Sequence, residues 1–143
     1  MHAFGSVFAE VAVDPDFGLI RVRRLVGAYG AGRIVNPRLA RSQVISGMVG
    51  GIGMALFEHT IIDRGTGRIA NTTLADYLVP VNADIAALEA FFVDEHDPYV
   101  NPLGVKGLAE LAVIGVASAI ANAVFHATGK RVRELPITLE KLL

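Results

Sequence analysis

The composition of this 143-residue chain excludes several classes of function. Its 13 basic and 14 acidic residues nearly cancel, so charge gives no reason to expect binding to nucleic acid or to an anionic membrane surface. No cysteine is present, which excludes disulfides, thiolate metal sites and iron–sulfur clusters on this chain. An apolar share of 52% against 19% charged residues predicts that another domain or a partner chain covers much of the surface.

The first half of the chain predicts a hairpin followed by a long helix. Residues 5–13 and 19–28 alternate apolar and polar side chains around the turn sequence DPDFG, which is typical of two antiparallel strands. Asn36 and Pro37 are favourable residues at a helix start, and the helix is predicted over 37–58. Its glycines lower helix propensity, so they predict the close approach of another element; they are Gly47, Gly50, Gly51 and Gly53.

The second half predicts shorter elements and one long loop. Residues 60–63 and 68–71 flank RGTG as a second hairpin, and 88–94 is a strand. The connection over 95–109 has no periodicity but many apolar residues, which favours a functional loop over a disordered one. A helix over 116–128 ends at Gly129, and a short extended piece with a last helical turn follows. Together these elements predict a single α+β domain over residues 1–143.

Two apolar runs resemble membrane spans but are too short. Residues 44–57 and 111–125 are flanked by polar groups, and a span needs roughly 20 residues. We therefore predict two buried helices and no membrane span. The chain opens without a basic start or an apolar h-region, so no signal peptide is predicted.

Most motifs that would carry chemistry are absent from the sequence. The four histidines share no ligand spacing, and Glu95, His96 and Asp97 precede Pro98 as a polar turn, so a side-chain metal site is disfavoured. The run GMVGGIG lacks the Lys-Ser/Thr of a phosphate loop. No Gly-x-Ser-x-Gly elbow occurs, which disfavours a serine nucleophile.

The run GRIVNPRLARSQ is the first of two segments that are candidates for ligand binding or catalysis. A glycine-rich turn leads to a helix start, with Arg33 and Arg38 close by and Gln43 one to two turns into the helix. Free N–H groups and two guanidiniums form a favourable anion site. An ordinary capped helix with solvated arginines explains the same residues, and locally that interpretation is favoured because such starts are common.

The run NPLGVKGLAE is the second such segment, because it places Lys106 and Glu110 in apolar, glycine-rich surroundings. Lys106 and Glu110 can form a buried structural ion pair. Alternatively, Glu110 is a general base in a dry pocket, where burial raises its pKa toward neutrality. Local sequence leaves both interpretations open.

Four motifs together resemble a known family. GVKGLAE resembles the Gly-x-Lys-Gly-x-Gly-Glu signature near the C-terminus of molybdenum-binding subunits in the xanthine dehydrogenase/aldehyde oxidase family. GRIVNPRLARSQVISGMVGGIGMALFE, ADYLVP and AIANAVFHATGKRVRELPIT resemble further segments of these subunits, in the same order. The resemblance covers essentially the whole chain and is strongest to periplasmic-type bacterial aldehyde oxidoreductases. It implies the α+β fold of the C-terminal portion of the second molybdopterin-binding domain.

The resemblance implies a molybdenum hydroxylase that oxidises aldehydes or N-heterocycles with water as the oxygen source. The cofactor would be molybdenum–molybdopterin cytosine dinucleotide, held through the pterin dithiolene without a direct protein ligand to the metal. Glu110 matches the catalytic base that deprotonates the Mo–OH group. Iron–sulfur clusters and FAD are expected on partner subunits.

The resemblance also assigns cofactor-binding residues in both segments. One group wraps the phosphate-bearing part of the cofactor, a glutamine hydrogen-bonds it, and the loop before the base lies against it. By motif match these residues are Arg33, Ile34, Val35, Asn36, Pro37, Arg38, Leu39, Gln43, Lys106, Gly107, Leu108 and Ala109. The anion site at the helix start then becomes the favoured interpretation of that segment.

Two departures from the family pattern qualify these expectations. Ala109 replaces the usual glycine before the base, and a requirement for positive φ there would strain the loop by roughly 1–2 kcal/mol. The family's subunits are also several times longer, and this chain corresponds to their C-terminal end. In a split enzyme the remaining portion of the subunit is expected as a partner, whereas a truncated remnant would be inert. A non-catalytic cofactor-binding or assembly domain is the alternative that Ala109 favours. The resemblance is compatible with the cytoplasm or, on a partner's signal, the periplasm.

Overall fold

A computed structural model describes residues 2–143 and has one three-stranded sheet. The strands are β1 (Phe4–Val13), β2 (Ile20–Gly30) and β3 (Ala87–Phe92), in the order β1-β2-β3. The strands β1 and β2 are antiparallel, with a bulge between Glu10 and Val11. The strands β2 and β3 are parallel. The predicted first hairpin is therefore confirmed, and β3 joins it on the β2 edge.

Three α-helices pack with this sheet, namely α1 (Pro37–Leu56), α2 (Leu111–Ile114) and α3 (Val116–Thr128). Helix α3 packs on β1, and α1 contacts α2, α3 and β3. Short 3-10 turns occur at Asn82–Asp84 and Leu139–Lys141. The arrangement confirms the predicted α+β class.

The core lies between the sheet and the helices. Its largest fully buried side chains come from β2, α1 and α3, as expected for apolar faces that pack against each other; they are Leu25, Tyr29, Val44, Met48, Ile52, Val116, Ile120 and Val124. The tail is tied to this core, because the N–H of Ile137 donates to the carbonyl of Ala55 at 2.7 Å.

Three predicted elements differ in extent from the structure. Helix α1 ends at Leu56 instead of residue 58, because the N–H of Glu58 donates to the carbonyl of Gly53 and not to that of Met54, the next acceptor of a regular helix. The second hairpin is reduced to one bridge between Ile62 and Ile69, since these residues are exposed and have no core to pack against. The helix predicted for the second apolar run, 111–125, is divided at Gly115 into α2 and α3.

The helical run Leu111–Thr128 is long and apolar enough to cross a membrane by length and composition, and 28% of it is buried. Gly115 separates α2 from α3 within this run. The buried side of α3 includes Ile120 and Val124, which belong to the core. The predicted burial of this run therefore holds for one side only.

A large apolar surface remains exposed on the domain. Strand β1 contributes Phe8, the end of α2 contributes Ile114, and the long loops contribute Leu74 and Tyr99, each with at least 70% of its surface accessible. Exposed apolar area of this extent is typical of an interaction surface. It is consistent with the coverage by another chain or domain that the composition predicts.

Two glycines of α1 permit the close approach that the sequence predicts. A Cβ atom at Gly47 would lie 2.8 Å from the Cβ of Ala112, and one at Gly51 would lie 2.5 Å from the Cβ of Val116. Both distances are too short for carbon atoms that are not bonded. The helices α2 and α3 therefore pack directly on the backbone of α1.

We expect Gly51→Ala to lower the free energy of unfolding by about 1–3 kcal/mol, because the added methyl group overpacks this contact. Gly50→Ala is the matched control, since a Cβ there meets no atom within 4 Å. It should raise stability by about 0.5–1 kcal/mol through helix propensity. Urea denaturation of both variants measures the difference, and equal effects at the two positions would contradict the close approach.

Candidate functional site

The structure places the two candidate segments, GRIVNPRLARSQ and NPLGVKGLAE, side by side. Gly32 and Val105 form an antiparallel bridge. The N–H of Arg33 donates to the carbonyl of Gly104 at 2.8 Å, and the N–H of Lys106 donates to the carbonyl of Ala31 at 3.2 Å. The turn before α1 and the loop before α2 therefore form one backbone unit, although they are far apart in the sequence.

Gly32 and Gly104 make this pairing sterically possible. Their φ angles are +65° and +68°, in the left-handed region that favours glycine. A Cβ atom at Gly32 would overlap the carbonyl oxygen of Gly104. The bridge thus requires glycine at position 32 for two separate reasons.

The start of α1 has the geometry that favours an anion. The side chain of Asn36 caps the helix, because its Oδ1 accepts the N–H of Leu39 at 3.1 Å. Pro37 occupies the first position, and the first turn contains no acidic residue. Arg33 and Arg38 are exposed on either side of the cap. The positive end of the helix dipole and two exposed guanidinium groups therefore lie close together at the start of α1.

A shallow depression of about 170 Å³ lies between the two segments. Its lining combines apolar side chains with a guanidinium, and most of it consists of residues assigned to the cofactor by motif; it is formed by Ala31, Arg33, Ile34, Val35, Ala40, Val105, Lys106 and Leu108. Gln43 is exposed further along α1, Gly107 is exposed beside the depression, and Ala109 is half-buried. The structure therefore groups Arg33, Ile34, Val35, Lys106 and Leu108 and leaves the rest on the adjoining surface.

Lys106 is engaged by partners that the sequence did not predict. Its ammonium group pairs with a carboxylate oxygen of Glu95 and lies 3.1 Å from Oδ2 of Asp97. It also donates to the carbonyl of His2 at 3.4 Å. Only 6% of the Lys106 side chain is exposed. Of the two interpretations that the sequence left open, the structural ion pair between Lys106 and Glu110 does not form.

Glu95 and Asp97 are further anchored by backbone groups. Oε2 of Glu95 accepts the N–H of Gly32 at 2.8 Å, and Oδ1 of Asp97 accepts the N–H of Tyr99 at 3.1 Å. The spacing of two acidic residues in Glu95-His96-Asp97 was visible in the sequence as a polar turn. Their ion pairs with Lys106 could not be predicted from the sequence, because nothing in the local pattern specifies which cation pairs with these carboxylates.

Asn101 shapes the loop that leads to Gly104. Its Oδ1 accepts the N–H groups of Leu103 at 3.1 Å and Val105 at 3.3 Å, and its Nδ2 donates to the carbonyl of Val105 at 2.8 Å. A side chain that replaces missing backbone partners in this way is typical of asparagine in turns. The loop 95–109 is therefore ordered by its own polar side chains.

The charges in this cluster shift the pKa values of all three members. The Lys106 ammonium holds the pKa of Glu95 and of Asp97 below the usual carboxylate range, and the Gly32 N–H lowers the pKa of Glu95 further. Glu95 is the largest cause of the raised pKa of Lys106. The folded state therefore favours the charged form of each group.

These shifts predict acid sensitivity of the folded chain. A carboxylate with a depressed folded-state pKa stabilises the fold above its unfolded pKa, near pH 4, and this contribution is lost as the pH falls through the lower folded-state value. We expect the urea midpoint to fall between about pH 5 and pH 2, and to fall less in the Glu95→Gln/Asp97→Asn variant. Identical pH dependence in both proteins would contradict the charged cluster.

Glu110 lies at the start of α2 and is exposed. No hydrogen bond or ion pair among residues 2–143 engages its carboxylate, whereas its carbonyl accepts the N–H of Val113 at 3.1 Å. The predicted burial of Glu110 is therefore wrong for the domain described here, because the turn at Ala109 and Glu110 directs this residue to the surface. Its carboxylate is left free for chemistry outside these residues.

Ala109 fits the loop without strain. Among residues 2–143 only glycines have positive φ, so the position before Glu110 does not need the left-handed conformation that glycine would provide. Its carbonyl also packs near Gly47 of α1. The alternative of a non-catalytic domain therefore loses the one residue that favoured it.

The residues around the depression fit a phosphate-bearing, partly aromatic cofactor. The exposed guanidiniums of Arg33 and Arg38 suit pyrophosphate, because Arg binds such oxygens bidentately. The apolar lining from Ile34, Val35 and Leu108 suits a flat organic group. Among residues 2–143, no group of three or more His, Asp or Glu side chains is arranged to bind a metal ion.

Comparison with known proteins gives the family. Residues 1–86 match the molybdopterin cofactor-binding domain. The aldehyde oxidoreductase molybdenum-binding subunit PaoC of Escherichia coli (strain K12) is 50% identical over 140 residues, which are 98% of this chain and 19% of that subunit. The xanthine dehydrogenase molybdenum-binding subunit of Escherichia coli O157:H7 is 41% identical, over 98% of this chain and 18% of that subunit.

The fold comparison agrees with the sequence comparison. The solved structure of the aldehyde oxidoreductase from Desulfovibrio gigas matches with a TM-score of 0.87 and 31% identity, over 99% of this chain and 15% of that one. The chain thus spans about a fifth of the length of the relatives it matches. These findings confirm the resemblance seen in the sequence: the chain belongs to the molybdopterin cofactor-binding domains of the xanthine dehydrogenase/aldehyde oxidase family.

Proposed function

We propose that this chain forms part of the cofactor site of a molybdenum hydroxylase that oxidises aldehydes, with N-heterocycles as the second substrate class. One observation carries the proposal. The two segments that match the family's cofactor motifs are bonded backbone to backbone around one depression, through Gly32 and Val105. Aldehydes are placed first because PaoC, a subunit of an aldehyde oxidoreductase by name, is 50% identical to this chain.

The start of α1 is proposed to hold the dinucleotide portion of a molybdopterin cytosine dinucleotide. Arg33 and Arg38 would bind the pyrophosphate, and the helix dipole would add to their attraction. Residues 34–37 and Leu39 would surround it, and Gln43 would hydrogen-bond the cofactor through its amide. Gly107, Leu108, Ala109 and the backbone of Lys106 would form the opposite wall.

Glu110 is proposed to accept a proton during substrate oxidation. When bound, the molybdenum–pterin group supplies the two-electron oxidation of the substrate carbon, and water is the source of the oxygen that is added. Proton acceptance requires a carboxylate that is ionised at rest and within reach of the reacting group. The exposed carboxylate of Glu110 has no hydrogen-bond partner among residues 2–143, and its place at the end of the cofactor loop supports its reach to the reacting group.

The remaining portion of the molybdenum subunit is proposed as the main partner. It would cover the exposed apolar surface that includes Phe8 and Ile114, and it would bury Glu110. Iron–sulfur and FAD subunits would then accept the electrons, since no redox group can be bound through cysteine on this chain. Activity is therefore a property of the assembly.

A chimeric subunit tests the proposal. In it, residues of this chain replace the matching 140 residues of PaoC, and it is co-expressed with the parent enzyme's other subunits. We expect molybdenum in stoichiometric amount and oxidation of aldehydes. A chimeric subunit that is folded and assembled but contains no molybdenum would contradict the proposal. If it contains molybdenum but oxidises only N-heterocycles, then N-heterocycles and not aldehydes are the substrate class.

We expect Arg33→Ala and Arg38→Ala in the chimeric subunit to weaken cofactor retention. Each removes charge-assisted hydrogen bonds worth about 1.5–3 kcal/mol, or roughly 10- to 150-fold in affinity. Arg68→Ala, in the exposed turn near Ile69, is the matched control and should retain the cofactor. Molybdenum per subunit after dialysis measures the effect. Equal loss in all three variants would show that the arginines act through general charge alone.

A further inference from the structure

We propose that Lys106 is a positioning residue whose ammonium group, together with Glu95 and Asp97, fixes the two cofactor segments against each other and does not contact the cofactor. We call these three side chains the clamp. The inference rests on the proposed function in one respect, namely that the two segments face the cofactor. It assigns a role to Glu95 and Asp97, and it reassigns the side chain of Lys106.

Every donor on the Lys106 ammonium group already has an acceptor in the structure. An ammonium group has three N–H donors. The structure provides three acceptors for them, which are a carboxylate oxygen of Glu95, Oδ2 of Asp97 and the carbonyl oxygen of His2. With 6% of its side chain exposed, Lys106 has neither a free donor nor free surface to offer a cofactor.

Glu95 connects Lys106 to the turn before α1. Glu95 uses one carboxylate oxygen for Lys106 and the other for the N–H of Gly32, at 2.8 Å. A single carboxylate therefore bonds both cofactor segments. The backbone bridge between Gly32 and Val105 lies directly beside it, so the clamp and the bridge support each other.

The clamp combines one positive and two negative charges. Glu95 and Asp97 lie close enough that each would repel the other's negative charge if the lysine were absent. The side chains of both are largely shielded, with 20% and 13% exposed. Lys106 thus compensates two carboxylates at once, which explains why a cation is needed at this place in an otherwise apolar loop.

Glu95→Gln and Asp97→Asn in the chimeric subunit separate a positioning role from direct cofactor contact. If Lys106 contacted the cofactor, loss of a competing carboxylate would free its ammonium group, and cofactor retention would be unchanged or stronger. If the clamp positions the segments, retention falls. We expect molybdenum retention to fall by about tenfold or more in each variant, because a shielded charged hydrogen bond is lost. Glu89→Gln is the control, since Glu89 pairs with Arg24 at the exposed surface.

Amide hydrogen exchange supplies a readout that does not depend on the cofactor. In the chimeric subunit prepared without molybdate, Lys106→Met should speed exchange of the Gly32 and Arg33 amides by about tenfold or more, while core amides of β2 keep their protection. Lys106→Arg retains a cation with several donors and should preserve most of the protection at Gly32. This site-restricted change distinguishes local positioning from a general loss of stability.

Two results would overturn the inference. Unchanged exchange at Gly32 and Arg33 in Lys106→Met would show that the clamp does not hold the segments. Undiminished molybdenum in Glu95→Gln and Asp97→Asn would show that Lys106 acts on the cofactor itself. Failure of the proposed function looks different, because the unsubstituted chimeric subunit would then lack molybdenum while its Gly32 amide remained protected.

Discussion

Glu110→Gln in the chimeric subunit is expected to reduce aldehyde turnover by about 10²–10⁴-fold, the range typical for loss of a general base. Glutamine has nearly the same shape as glutamate but accepts no proton at neutral pH. Because no residue among 2–143 hydrogen-bonds the Glu110 carboxylate, the substitution should leave the fold and the cofactor content unchanged. Steady-state kinetics normalised to molybdenum content measures the effect.

The control for this variant is Glu134→Gln, which neutralises a carboxylate with 86% of its side chain exposed in the C-terminal tail. It should behave as the unsubstituted protein does. If Glu110→Gln lost molybdenum in proportion to activity, Glu110 would hold the cofactor instead of accepting a proton. Full activity with full molybdenum content would remove Glu110 from the mechanism.

Gly32→Ala is expected to have the second largest effect, on both stability and cofactor retention. The left-handed φ at this position costs an alanine about 1–2 kcal/mol, and its Cβ would also overlap the carbonyl oxygen of Gly104. Relief of that overlap requires the two cofactor segments to separate. We expect a loss of more than about 2 kcal/mol in the free energy of unfolding and little molybdenum in the chimeric subunit.

Gly67→Ala is a matched control for backbone strain alone. Gly67 also has a left-handed φ, of +70°, but a Cβ atom there meets nothing within 4 Å. It should cost about 1–2 kcal/mol and leave molybdenum content unchanged. If the two variants proved equally stable and equally loaded, the steric role of Gly32 in joining the segments would be wrong.

Elements that depend on local pattern were predictable from the sequence. Strand alternation around DPDFG gave the hairpin, and Asn36 with Pro37 gave the start of α1, because both signals act between residues close in the chain. The glycines of α1 predicted a close neighbour, although only the structure identifies Ala112 and Val116 as the contacts. The cofactor residues came from a family resemblance, and their roles remain proposals.

Pairings between distant residues were not predictable in the same way. Glu110 is the carboxylate nearest to Lys106 in the sequence, but the two do not pair, because the chain turns outward at Ala109. The true partners Glu95 and Asp97 lie across a loop whose path is set by Asn101 and by the left-handed Gly104. Such tertiary contacts depend on the whole fold and produce no periodic pattern in the sequence.

The parallel pairing of β2 with β3 has a consequence for the order of folding. The ladder joins residues at a constant separation, from Arg24 with Ala87 to Tyr29 with Phe92, and the bond from Gly32 to Glu95 continues it at the same separation of 63 residues. Non-local pairing of this kind is slow, because the intervening chain must be closed before any contact is gained. During synthesis the arginines at the start of α1 therefore emerge long before the residues that fix them, and the site takes shape only when the ladder has closed along its full length.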